Sequence, residues 1–201
     1  MESWYIGLEG IDCTGKTTQA RLLCDFLTNE LYENAVYLKC GGLGGDGVLI
    51  KFFSYLVERG LYLDDTQKQF FFESIARLQN RRLRKELRNN RIVVGDKSIW
   101  SHKVWEKVNG INRLSQNSTF IHPDIVILLD LDPKYIVERI KNDAAASEID
   151  LAHSLKSLID YVNVYRDFAE NSDNWIVIDG SLSIMEIHKK IRGIIYEYGY
   201  H

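Results

Sequence analysis

The stretch Leu8-Glu9-Gly10-Ile11-Asp12-Cys13-Thr14-Gly15-Lys16-Thr17-Thr18-Gln19-Ala20 lies near the start of a 201-residue chain. Its centre, Gly10 to Thr17, fits G-x-x-x-x-G-K-[ST], and its surroundings suit that motif: the apolar run Trp4 to Leu8 precedes it and a helix-period segment follows. Glycines let the backbone curl until successive N–H groups point inward at phosphate oxygens, and the next helix adds its positive N-terminal dipole. Lys16 is expected to reach the β- and γ-phosphates, and the Thr17 hydroxyl to ligate Mg²⁺. Gly10, Asp12, Cys13, Thr14, Gly15, Lys16, Thr17 and Thr18 are therefore the expected lining of a nucleoside triphosphate site, with ATP as the donor. The plain alternative is a glycine loop that only turns a strand into a helix.

Working outward, four more short apolar runs read as buried strands: Val36 to Leu38, Ile92 to Val94, Ile125 to Leu129 and Trp175 to Ile178. Between them, apolar residues recur at three- and four-residue spacing over Thr18 to Leu31, Gly47 to Arg59, Asp65 to Arg88, Pro133 to Lys141, Glu148 to Ala169 and Ser183 to Tyr198. Asp132-Pro133 marks one helix start, with aspartate as the cap and proline at the first helical position. Strands alternating with helices predict an α/β fold, a doubly wound five-stranded parallel sheet of order 2-3-1-4-5. A single domain over residues 1–201 is expected, with a short lid near 142–150.

Composition narrows the function. A net charge of -3 supplies no global cationic field, which argues against binding a nucleic acid polymer. Cys13, Cys24 and Cys40 form no Cys-x-x-Cys pair and read as reduced thiols; with no leader-like or membrane-spanning stretch, a soluble cytoplasmic protein is expected. No Asn-Lys-x-Asp tetrad is present to read guanine, so a GTPase is set aside. A P-loop alone leaves the acceptor of the phosphoryl group undecided.

The order of further motifs resembles the thymidylate kinase family, P-loop enzymes that move the γ-phosphate of ATP onto dTMP. Leu8-Glu9-Gly10-Ile11-Asp12 and Gly15-Lys16-Thr17-Thr18-Gln19 are similar to that family's extended P-loop. Gly41-Gly42, Ala76-Arg77-Leu78-Gln79, Val93-Val94-Gly95-Asp96-Lys97 leading into Ser101, Pro123-Asp124 through Asp132-Pro133, Glu138-Arg139, Tyr165 and Ile178-Asp179 follow in the family's order. Deoxynucleoside kinases share several of these pieces but carry Glu-Arg-Ser where this chain has Asp96-Lys97-Ser98.

The resemblance implies roles. Asp96 would orient Mg²⁺ or help position the acceptor, a helix cap being the alternative. Asp12 matches an acidic residue near the acceptor sugar, against a turn aspartate. Lys97 stands where the family clamps the acceptor phosphate with arginine; lysine keeps the charge and loses the bidentate fork. Arg77 matches a base-reading arginine and begins the stripe Arg77-Arg81-Arg84-Arg88, whose later members are better read as a solvated face. Gly41, Gly42, Phe72, Glu73, Ser101, Trp105 and Glu106 complete the expected acceptor site, while Trp105 reads equally as a core aromatic. A homodimer is implied by resemblance alone.

Three departures qualify it. Leu38-Lys39-Cys40 replaces an Arg-Glu-Pro that supplies an acceptor contact. Glu73 and Glu106 replace a stacking phenylalanine and an amide, which predicts an altered acceptor base richer in donors than thymine. No arginine stands in the P-loop or the lid, so either turnover is slow or Arg139 substitutes. Cys13 invites an oxidation-sensitive loop, with a small filler residue as the simpler reading. A nucleoside kinase and a catalytically weak ATP-binding regulator stay open beside the monophosphate kinase.

Overall fold

The computed structural model describes residues 3–40, 65–89, 92–111, 119–142 and 155–199. Five strands, β1 (Trp4–Glu9), β2 (Ala35–Lys39), β3 (Ile92–Asp96), β4 (Ile125–Asp130) and β5 (Trp175–Asp179), pair in parallel in the order β2-β3-β1-β4-β5. The expected strands are all present, each one or two residues longer. Six helices accompany them among the described residues: α1 (Lys16–Asn29), α2 (Asp65–Asn89), α3 (Ile99–Val108), α4 (Pro133–Asn142), α5 (Leu155–Glu170) and α6 (Ile184–Gly199).

The two-residue period of the strands decides which helices cover which face. Ile6 and Leu8 of β1, with Ile125, Ile127 and Leu129 of β4, pack against Leu23 and Leu27 of α1 and Ile187, Ile191 and Ile195 of α6. The intervening Val126 and Leu128 face the other way, onto Val104 of α3 and Leu158, Val162 and Tyr165 of α5. Tyr5, Leu38 and Val93 meet Leu83 of α2 on that same side. Burying each such aliphatic side chain stabilises the fold by about 1.5–3 kcal/mol, so the two layers fix the sheet before any polar group contributes.

Helix ends follow the sequence closely except in two places. Asp132 caps α4 as expected, its Oδ1 accepting the Lys134 N–H at 2.8 Å. Helix α3 is absent from the sequence reading. Ser98 initiates it, accepting the Trp100 N–H at 3.1 Å. For α5, the described helix begins at Leu155, and the expected start at Glu148 lies outside the described residues, as do the expected helix Gly47 to Arg59 and all of the expected lid near 142–150 except Asn142, which ends α4. Parallel register brings the carboxyl ends of three strands level: Leu8 sits across from Asp96, and Asp96 across from Lys39. Ligands of doubly wound sheets bind at this edge, and the charged residues collect there.

Candidate active site

The loop leaving β1 is built for close backbone approach. Gly10 has φ +133°, and a Cβ there would lie 2.7 Å from the Leu129 carbonyl oxygen, so only glycine fits. Cys13 (φ 62°) and Gly15 (φ 93°) also take left-handed conformations. Gly15 opens α1 without any side-chain cap, and no acidic residue occupies the first turn. The first N–H groups of α1 therefore lack the usual side-chain acceptor, and a helix N-terminus left this way favours an anion.

Inside this curl, the Lys16 ammonium donates to the Ile11 carbonyl and lies 3.4 Å from Thr14 Oγ1, which itself donates to Ile11 at 2.9 Å. Burial pushes the Lys16 pKa down, against the pull of Asp12. Asp12 is 3.8 Å from Lys16 and 2.8 Å from the Lys97 ammonium. At Lys97 burial opposes the charge, but Asp12, Glu9 and Asp96 outweigh it and hold the ammonium above its ordinary pKa.

Thr17 Oγ1 donates to Asp96 Oδ2 at 2.7 Å, and the Tyr37 phenol donates to the same oxygen at 2.9 Å. Asp96 is thus tied to the first turn of α1 and does not cap a helix, a role that falls to Ser98. Thr18 is exposed on the next position of the helix. Arg139 reaches the loop from α4, donating from Nη1 to the Cys13 carbonyl (3.3 Å) and from Nη2 to the Gly180 carbonyl (3.1 Å).

On the expected acceptor side, Phe72 of α2 lies 4.3 Å from Trp105 of α3 between ring centroids and 6.4 Å from His102. Glu106 is buried. Ser101 donates to Glu9 Oε2 at 2.6 Å. Glu73 and Arg77 do not join this group. Arg77 donates from Nε and Nη2 to Glu73 Oε1 at 3.1 and 2.6 Å, one helical turn apart, and its guanidinium lies 6.0 Å from the Phe120 ring. Arg77 shares a surface groove with Asn80, Arg81 and Arg84. Gly41 and Gly42 lie outside the described residues.

Two polar features were missed in the sequence. Glu9 is fully buried and gathers the Ser98 N–H and Oγ, the Ser101 hydroxyl and the Tyr165 phenol. Its signal was present: a carboxylate ending a buried strand must find several donors. The other is the pair His102 Nε2 and Gln79 Oε1, 2.9 Å apart. A neutral ring with its proton on Nε2 donates to that amide oxygen.

Burial, reinforced by Lys97, lowers the His102 pKa to about 4 from an ordinary 6.5. Protonation then favours the unfolded chain, so stability present above pH 6.5 is lost as the pH falls toward 4. Urea unfolding at pH 7 and pH 5 is expected to show a lower midpoint at pH 5, with His102→Gln removing part of that drop. An undiminished drop in the variant would assign it to other groups, such as His122, also pushed down to about 4 by desolvation and Lys103.

Comparison with known proteins accords with this geometry. The family model described as thymidylate kinase matches residues 8–191. The chain belongs to the thymidylate kinase family. Thymidylate kinase of Caldanaerobacter subterraneus subsp. tengcongensis is 29% identical over 211 residues, covering 98% of this chain and 97% of the relative. That of Fervidobacterium nodosum is 27% identical, covering 96% and 99%. Two solved thymidylate kinases share the fold: that of Ehrlichia chaffeensis has a TM-score of 0.73 at 21% identity over 97% of this chain and 100% of its own. The Candida albicans enzyme has a TM-score of 0.75 at 16% identity over 98% and 92%. As a thymidylate kinase family member the chain is an ATP-dependent phosphotransferase, a nucleoside monophosphate kinase. No described helix is long and apolar enough to cross a membrane.

Proposed function

We propose that this family member transfers the γ-phosphoryl group of Mg·ATP to dTMP. The observation that carries the reading is the direct bond between Thr17 of the phosphate loop and Asp96 at the end of β3, next to a Lys97 that is paired to Asp12. Residues that would serve the donor and residues that would serve the acceptor thus lie in one cluster, which supports this reading.

Each residue has a task in an in-line displacement. The uncapped N–H groups of α1 and the Lys16 ammonium would bind the β- and γ-phosphates, Lys16 exchanging the carbonyl and hydroxyl oxygens it now holds for phosphate oxygens. Thr17 Oγ1 and Asp96 are hard oxygen donors of the kind Mg²⁺ takes alongside water and phosphate. Bound there, the ion would neutralise charge on the phosphates. Lys97 would hold the acceptor phosphate, with Asp12 beside the acceptor sugar. An acceptor phosphate oxygen attacks phosphorus as the bond to the bridging oxygen of ADP breaks. That oxygen is already deprotonated at neutral pH, so no strong base is needed.

Thymine is the base supported by the relatives named thymidylate kinase, and Glu73, one of the two carboxylates that would suit a donor-rich base, spends its Oε1 on Arg77. The test is ADP release from Mg·ATP across dTMP, dUMP, dCMP, dGMP, their ribose counterparts and the free nucleosides. The highest kcat/KM is expected with dTMP and no stimulation with nucleosides. Stimulation by a nucleoside alone would make the chain a nucleoside kinase; a better cytosine or guanine monophosphate would restore Glu106 as a base selector.

A further inference from the structure

We propose that Glu9 is a positioning residue of the transfer: its carboxylate joins β1, the turn between β3 and α3, and α5, and so fixes Lys97 where the acceptor phosphate arrives. The proposal rests on the monophosphate kinase reading given above.

The strand period sends Glu9 to the face of the sheet that α3 and α5 cover. Gly7, two residues earlier, shows the same direction, since a Cβ on it would meet Pro123 and Ser98. Glu9 is 0 % exposed there. Its Oε1 accepts the Ser98 N–H at 2.7 Å and the Ser98 hydroxyl at 2.6 Å; its Oε2 accepts the Ser101 hydroxyl at 2.6 Å and the Tyr165 phenol at 3.1 Å. An ionised carboxylate only accepts, and four donors satisfy it. Burial still raises its pKa, with Ser101, Ser98, Lys97 and Lys16 pulling the other way.

The consequence falls on Lys97. Its φ of 68° is a left-handed conformation that is unfavourable for a non-glycine residue and persists only when its neighbours are pinned. Both sides are pinned by the end of β1: the Lys97 N–H donates to the Leu8 carbonyl at 3.0 Å, and the next N–H, of Ser98, goes to Glu9. This bend aims the Lys97 side chain back across the loop to Asp12. Removing the carboxylate would free the Ser98 side of the bend and let the ammonium wander.

Glutamine and alanine separate position from charge. The Ser98 N–H cannot turn to accept, whereas the Ser101 and Tyr165 hydroxyls can. Glu9→Gln therefore keeps its oxygen toward Ser98 and offers its NH₂ to the hydroxyls, while Glu9→Ala loses every tie. Steady-state kinetics of the full chain are expected to show kcat/KM for dTMP falling on the order of 10²-fold in Glu9→Ala, since a misplacement near 1 Å costs about that much. KM for ATP should stay within about threefold, and Glu9→Gln should recover most of the loss.

In a Lys97→Ala background, Glu9→Ala should add little, because both act on one contact. Should Glu9→Ala fail to fold, Tyr165→Phe is expected to raise KM for dTMP by about two- to tenfold with KM for ATP unchanged. Equal losses toward ATP and acceptor, or full additivity with Lys97→Ala, would overturn the positioning role while leaving the kinase reading intact. A wild-type chain that no acceptor stimulates would overturn both.

Discussion

Lys16→Ala is expected to lower ADP release with the best acceptor on the order of 10³-fold, the upper range for losing one preorganised donor to a transition state. The size follows from where the ammonium sits. It is 5 % exposed inside the phosphate loop, and the loop's own oxygens hold it. Charge developing on the transferred group in so dry a site is worth far more to stabilise than at a surface. Alanine leaves the loop's backbone donors in place, so the variant should fold, as circular dichroism would check, and should keep weakened ATP binding. Turnover within tenfold of wild type would show that the loop does not hold the reacting phosphates.

Arg139→Ala is expected to reduce kcat on the order of 10²-fold or more with a small change in KM for dTMP, the pattern of a contact made mainly in the transition state. Neither Cys13 nor Thr14 brings a positive charge into the loop. Arg139 does so from α4. Two arms of its fork already lie on the carbonyls of Cys13, in the loop, and Gly180, just past β5. A guanidinium has five donors, so those two bonds leave others for phosphate. Arg139→Lys should recover little, since a single ammonium cannot hold two carbonyls and a phosphate in one plane. Single-turnover kinetics would separate chemistry from product release, and unchanged rates in Arg139→Ala would remove this residue from the reaction.

Much of the fold was legible because its signals are local or periodic. Short apolar runs bounded by turn residues give the five strands, and the motif from Gly10 to Thr17 joins one strand to one helix in a single reading. Helix α3 escaped because Ser98-Ile99-Trp100-Ser101 follows immediately on β3, and the brief pattern of Trp100, Val104 and Val108 merges with the apolar strand before it. The pairing of Glu73 with Arg77 also went unseen: four-residue spacing makes such a pair available, but only packing against α3 decides whether a carboxylate faces a pocket or its own helix. Glu9 belongs to the extended phosphate-loop motif, whereas its partners Ser98, Ser101 and Tyr165 come from distant parts of the chain. Tyr37 reaches Asp96 for the same nonlocal reason.

The order of the sheet carries a consequence for how the chain comes to exist at all. β1 is made before the other four strands, yet it lies at the centre, with Trp4 paired to Ile92 and Ile6 to Ile125. Until those later strands are made, an apolar ribbon with two unpaired edges waits beside a glycine-rich loop that has no sheet to rest on. Such nonlocal closure slows folding and leaves sticky edges open to wrong partners. Nascent chains that stop before β4 should therefore be clients of holding chaperones, and the phosphate loop should acquire its shape only once most of the polypeptide has left the ribosome.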